Sequence, residues 1–190
     1  MAPSADEGAV AVPGPEQFAG LIARELPRLE LDSTGGRIDL HELTAIRLVL
    51  FIYPHATGLP EPPVADWDLI PGARGCTAQS CGFRDEHAGL RELGAEVAGL
   101  SAQTVAEQRH FADRVGLPYR LISDPELKLA AALGLPTFAA GGRSFYRRLC
   151  LVAQDGVLVK VFDPIAAPER NAAEVVAWLE SRAAVEESRR

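Results

Sequence analysis

The run of residues 44–53, with Leu48-Val-Leu-Phe-Ile52 at its centre, constrains the fold more than any other stretch of this chain. It has the length of a strand but lacks the polar and apolar alternation of a strand with one wet face. Both of its faces must therefore be covered, which puts it in the middle of a sheet with helices above and below. The rest of the chain has to supply those helices and the neighbouring strands.

It does so largely in alternation. Upstream, Phe18, Leu21, Ile22 and Leu26 fall at helical spacing in a short segment that Pro27 stops, and residues 29–31 and 37–40 read as a small hairpin. Residues 54–75 carry prolines at 54, 60, 62, 63 and 71 and glycines at 58, 72 and 75, and cannot hold a regular element. They form a loop insertion, either a lid over a site or a plain surface excursion, with Trp67, Leu69 and Ile70 packing one end down. Residues 76–93 have helical spacing through Phe83, Leu90 and Leu93 and stop at Gly94. Residues 96–101 form a strand, Thr104-Val-Ala-Glu107 is a capping box opening a helix to Val115, and residues 119–123 form another strand. Asp124-Pro-Glu126 reads as the cap, first position and first-turn acid of a helix over 127–133. Residues 145–153 and 157–162 form a hairpin around Gln154-Asp-Gly156, and Asn171-Ala-Ala-Glu174 caps a last helix. Residues 1–14 and 185–190 read as loose tails on one domain of residues 15–184.

This order predicts an α/β fold with a central mixed sheet, helices on both faces and an extra N-terminal hairpin. It is the element order of a thioredoxin-like fold. A formal net charge of −7 with no basic cluster excludes a nucleic-acid binder, and no apolar stretch approaches the roughly 20 residues needed to span a bilayer. The first residues have neither a basic start nor an apolar core, so they do not read as a signal peptide. Three cysteines do not suit a secreted disulfide scaffold, which points to a reducing cytoplasm.

Two of those cysteines, Cys76 and Cys81, lie in Gly75-Cys-Thr-Ala-Gln-Ser-Cys-Gly-Phe-Arg-Asp85. Cys76 opens a helix that follows the carboxyl end of the central strand, so unpaired amides and the positive helix end favour its thiolate. Arg74, two residues before, adds to that field. Cys81 sits deeper in the helix, on another face, and receives less of this help. Residues five apart in an intact helix have Cα atoms about 8 to 9 Å apart, beyond disulfide reach, so any bond between them requires the first turns to unwind. Gly75 and Gly82 ease that unwinding. Cys150 lies in an apolar strand and reads as an inert core residue. The histidines at 41, 55, 87 and 110 are scattered, and cysteines at this spacing do not converge on a tetrahedral metal.

Tyr53-Pro54, Gly75-Cys-Thr77, Cys81, Phe83-Arg-Asp85, Ser123-Asp-Pro125 and Arg148 together resemble the peroxiredoxins, redoxins of the alkyl-hydroperoxide-reductase kind. The similarity is greatest to the bacterioferritin-comigratory-protein type, which pairs two cysteines at this spacing. The resemblance covers residues 24–181 and implies thiol peroxidase chemistry on hydrogen peroxide or small organic hydroperoxides, with no metal or organic cofactor. Cys76 would become a sulfenic acid, Cys81 would condense with it to a disulfide, and a thioredoxin-like protein reductant would restore both. Arg148 would stabilise the thiolate and the departing oxygen. The resemblance also admits a homodimer and implies no nucleic-acid or membrane partner.

The family's motif sets Pro, three residues, Thr, two residues and the reactive Cys in one string. Here Leu69 and Ala73 occupy those two positions, and the insertion separates Pro54 from Cys76. Either Pro54 and Thr57 fold back to supply the proline wall and the hydroxyl, or those functions are altered. The departure keeps open a second reading, a non-enzymatic thiol redox sensor or interaction protein of the same fold.

Overall fold

The computed structural model describes residue 18 and residues 20–58 and 64–188. The expected N-terminal tail and residues 59–63 of the loop lie outside them. Nine strands and five helices follow in chain order among the described residues: β1 (Glu30–Ser33), β2 (Ile38–Asp39), β3 (Arg47–Ile52), α1 (Cys76–Asp85), α2 (His87–Glu92), β4 (Ala95–Ser101), α3 (Val105–Val115), β5 (Arg120–Ser123), α4 (Lys128–Leu133), β6 (Thr137–Ala140), β7 (Arg143–Tyr146), β8 (Leu149–Gln154), β9 (Val157–Phe162) and α5 (Asn171–Glu187). Seven strands make one sheet in the order β2-β1-β5-β4-β3-β8-β9, and β6 pairs with β7 alone.

The run around Leu50 is the central strand, parallel to β4 and antiparallel to β8. Its alternate residues feed two cores. Leu48, Leu50 and Ile52 pack with α4 and the N-terminal segment, while Val49, Phe51 and Tyr53 pack with α1, α2, α3 and α5. Gly99 on β4 makes the second layer possible. A Cβ there would lie 2.6 Å from the Phe51 ring and 2.7 Å from Leu121, so only glycine lets that ring lie across the strand. Phe83 of α1 then stacks on Phe51 with ring centroids 4.6 Å apart, which seats the cysteine-bearing helix on the sheet.

Several sequence expectations change. The 18–26 helix is absent apart from a 3-10 turn at Phe18, Gly20 and Leu21. Its backbone is drawn instead to the β9 side of the sheet, where Ala23 N donates to Leu158 O at 2.8 Å and Leu158 N to Arg24 O at 2.8 Å. The single helix over 76–93 is two, broken at Glu86. The helix after Asp124 begins four residues later, at Lys128, because both Asp124 carboxylate oxygens reach forward to accept from Lys128 N and Leu129 N at 2.9 Å. The 145–153 strand is also two, β7 and β8, in different sheets. Helix α5 runs on to Glu187, into the stretch read as a ragged tail.

Among its described residues the 54–75 loop holds one short 3-10 turn, Trp67–Leu69, and Trp67 packs down as expected. Its support is the β6–β7 hairpin. Trp67, Ala73 and Phe145 form a separate small core with Val64, Ile70, Phe138 and Ala140. Leu69 instead points outward and is 78% exposed.

Candidate active site

Helix α1 starts at the carboxyl end of β3, and Gly75 caps it with φ 91°. That left-handed turn suits glycine, and a Cβ at Gly75 would also come within 2.8 Å of Pro168. The helix start is thus wedged against the segment leading into α5. Cys76 is buried, 4% exposed, with Sγ 3.4 Å from the carbonyl of Ala73.

Because β8 runs antiparallel beside β3, with Leu149 opposite Ile52, the residue before β8 lies at the end of the sheet where α1 begins. That residue is Arg148. Its Nη2 donates to Cys76 Sγ at 3.1 Å, to the carbonyl of Arg74 at 2.6 Å, and lies 3.3 and 3.4 Å from those of Gly72 and Ala73. Its Nη1 donates to Gln79 Oε1, whose Nε2 donates to Asn171 Oδ1 at 2.9 Å. Gln79 and Asn171 are wholly buried. A guanidinium sunk in this way would be costly without such partners, and one of its nitrogens is aimed at the Cys76 sulfur.

The expected residues separate into groups. Cys76 and Arg148 meet. Cys81 is half-buried in the same intact helix and unbonded. Arg74 contributes its carbonyl, since its guanidinium turns outward to Asp68 at 3.2 Å. Pro54 is buried and Thr57 half-buried, and the segment between them is gripped by Gln103, whose amide accepts from Ala56 N at 2.8 Å and donates to Ala56 O at 3.0 Å. Ala56 and Tyr53 belong to the same apolar cluster as Cys76. Burial raises the Tyr53 phenol pKa well above its ordinary value, with the charge of Cys76 a smaller cause. Leu69 and Ala73, at the motif's Pro and Thr positions, carry neither function: one is in solvent and the other offers only its carbonyl.

Gln79 and Asn171 escaped the sequence reading. Gln79 lies one helical turn after Cys76, on the same side, which was the available signal. Asn171 reads locally as a cap for α5, yet its side-chain oxygen takes Gln79 instead.

The Redoxin family profile matches residues 21–176, and the chain belongs to that family. Within it, the relatives are peroxiredoxins of the Q, or bacterioferritin-comigratory, type. The chain is 36% identical over 115 residues to peroxiredoxin bcp1 of Schizosaccharomyces pombe, covering 60% of this chain and 51% of that one. It is 29% identical over 153 residues to the chloroplastic peroxiredoxin Q of Gentiana triflora, covering 79% and 62%. The crystal structure of peroxidoxin BcpB from Mycobacterium tuberculosis superposes with a TM-score of 0.69 at 26% identity, over 84% of this chain and 96% of that one. The chain thus spans between half and two thirds of the length of these two sequence relatives. The fold is thioredoxin-like, and among the described residues no helix is long and apolar enough to cross a membrane.

Proposed function

We propose that this chain is a thiol peroxidase that reduces hydrogen peroxide or small organic hydroperoxides through Cys76. The observation that carries the reading is the Arg148 guanidinium, 3.1 Å from a buried sulfur at the first position of a helix. The Cys76 thiolate attacks the terminal peroxide oxygen, the O–O bond breaks, and the departing hydroxide or alkoxide takes a proton from solvent to leave as water or an alcohol, with Cys76 left as a sulfenic acid. Arg148 faces charge on both the sulfur and the leaving oxygen. Pro54 and Thr57 wall and orient the peroxide, and the Arg74 carbonyl holds Arg148 in place.

Cys81 then attacks the sulfenic sulfur, forming the disulfide and releasing water. For this the first turns of α1 must open, breaking Gln79 N to Gly75 O at 2.9 Å and Ser80 Oγ to Cys76 O at 3.0 Å. A thioredoxin-like dithiol reduces the disulfide and becomes oxidised in turn. A reducing cytoplasm suits a cycle that begins from free thiols. The test is peroxide consumption coupled to thioredoxin and its reductase. Turnover in the wild type that disappears in Cys76→Ser is expected. A wild-type chain that forms the Cys76–Cys81 bond with peroxide yet does not turn over would be a redox sensor instead.

A further inference from the structure

Asn171 is wholly buried at the first position of α5, far from the sulfur in sequence. Its Oδ1 accepts from Gln79 Nε2 at 2.9 Å, and its own Nδ2 has no partner among the described residues. A buried amide that leaves its donor unsatisfied costs free energy, so burial alone does not account for an asparagine here. Among the described residues, its side chain's hydrogen bond is the one it accepts from Gln79.

That acceptor decides which way the Gln79 amide points. A guanidinium has only donors, so Gln79 must present Oε1 to Arg148 and turn Nε2 away. With the amide reversed, two donors would face each other, and Arg148 Nη1 would lose its partner. Asn171 Oδ1 lies on the side where Nε2 has to go, and it favours the productive orientation over the reversed one. Arg148 in turn has an Nε without a partner among the described residues, so its aim at Cys76 depends on the bonds of its two Nη atoms.

We propose that Asn171 is a positioning residue for peroxide reduction, acting through Gln79 to hold Arg148 against Cys76. This role rests on the peroxidase reading of the same site. It also ties the reactive sulfur to the C-terminal helix. When α1 opens, Gln79 leaves Asn171, and restoring the helix restores the aim of the guanidinium.

The test is a double-mutant cycle on the full chain with two readouts, kcat/KM for hydrogen peroxide and the pH profile of Cys76 alkylation by iodoacetamide. Asn171→Leu is expected to lower kcat/KM by about three- to tenfold, the worth of one hydrogen bond, and to move the alkylation profile to higher pH. In a Gln79→Leu background the same substitution should add nothing, because the residue through which it acts is already gone. Asn171→Ser, too short to reach Gln79 but well suited to a helix start, should reproduce the shift if the leucine variant folds poorly. A folded Asn171→Leu or Asn171→Ser protein with the wild-type profile would overturn the role, as would losses that multiply in the double variant. Alkylation needs no peroxide, so a wild type without turnover would remove the peroxidase reading while the profiles still judge the effect of Asn171 on the sulfur.

Discussion

Two buried thiols, Cys76 and Cys150, occupy regions of opposite character, and Arg148 and Cys150 are only two residues apart. Arg148, just before β8, turns to the end of the sheet and meets Cys76. Cys150, the second residue of β8, enters the core opposite Phe51. Both sulfurs are almost inaccessible, so exposure does not distinguish them. The difference lies in polar company. Cys76 has a guanidinium and the amides of a helix start, whereas Cys150 lies in an apolar cluster with the carbonyl of Leu151 4.0 Å from its sulfur, and burial pushes its thiol far up from its ordinary value. Reactivity of a buried thiol is therefore set by what is buried with it.

The largest expected effect tests that contrast directly. Iodoacetamide at neutral pH should label Cys76 at least about a thousandfold faster than Cys150, read by peptide mass spectrometry, because the thiolate is the nucleophile. Comparable labelling would break the comparison. Next, Arg148→Ala should lower kcat/KM for peroxide by about a hundredfold, the cost of losing one donor to developing charge, and should narrow the labelling gap. Cys150→Val adds about one methylene to a packed core and should change peroxide turnover by less than about twofold, while costing about 1–3 kcal/mol by urea unfolding.

His55 gives the smallest and most selective check. It is buried between the rings of Trp67 and Phe145, its Nδ1 has no partner among the described residues, and burial, with Arg143 adding, lowers its pKa from 6.5 to about 4. The unfolded chain therefore binds a proton on His55 near pH 6.5 and the folded chain only near pH 4, so acid favours unfolding across that window. Urea midpoints measured from pH 7 to pH 4 should fall less steeply in His55→Phe than in wild type. Parallel curves would mean that burial does not penalise this charge.

How much of this was legible depends on the range over which each residue finds its partners. The central strand, the α3 capping box and the Gln154-Asp-Gly156 hairpin are local patterns that form where expected, although the strand is shorter than the 44–53 run, spanning Arg47–Ile52 after a 3-10 turn over Glu42–Ala45. The helix start at Cys76 was legible from the residues around it, although the strand end it sits beside lies across the 54–75 loop. Arg147 and Arg148 are charges inside an apolar run of the sequence. The reason is larger than a single misfit, since the chain changes sheet there, and neither Arg147 nor Arg148 carries a turn signal that announces it. Gln79 looks like any polar helix residue until Arg148 and Asn171 arrive from remote segments. Asn171 was misassigned for the opposite reason: its local sequence offers a good cap, and a long-range acceptor role overrode it. The 18–26 segment failed similarly, when pairing beside β9 outweighed its helical spacing.

The small core shared by Trp67 and the β6–β7 hairpin makes those two excursions mutually dependent. Neither is part of the main sheet, and each covers the apolar side of the other. Gly141 records how close the fit is, since a Cβ there would strike Val64 at 2.5 Å. Shortening the loop alone would leave Phe138 and Phe145 wet, and grafting it alone onto another scaffold would leave Trp67 with nothing to rest on. An engineer who wants to move this insertion must transplant both pieces together.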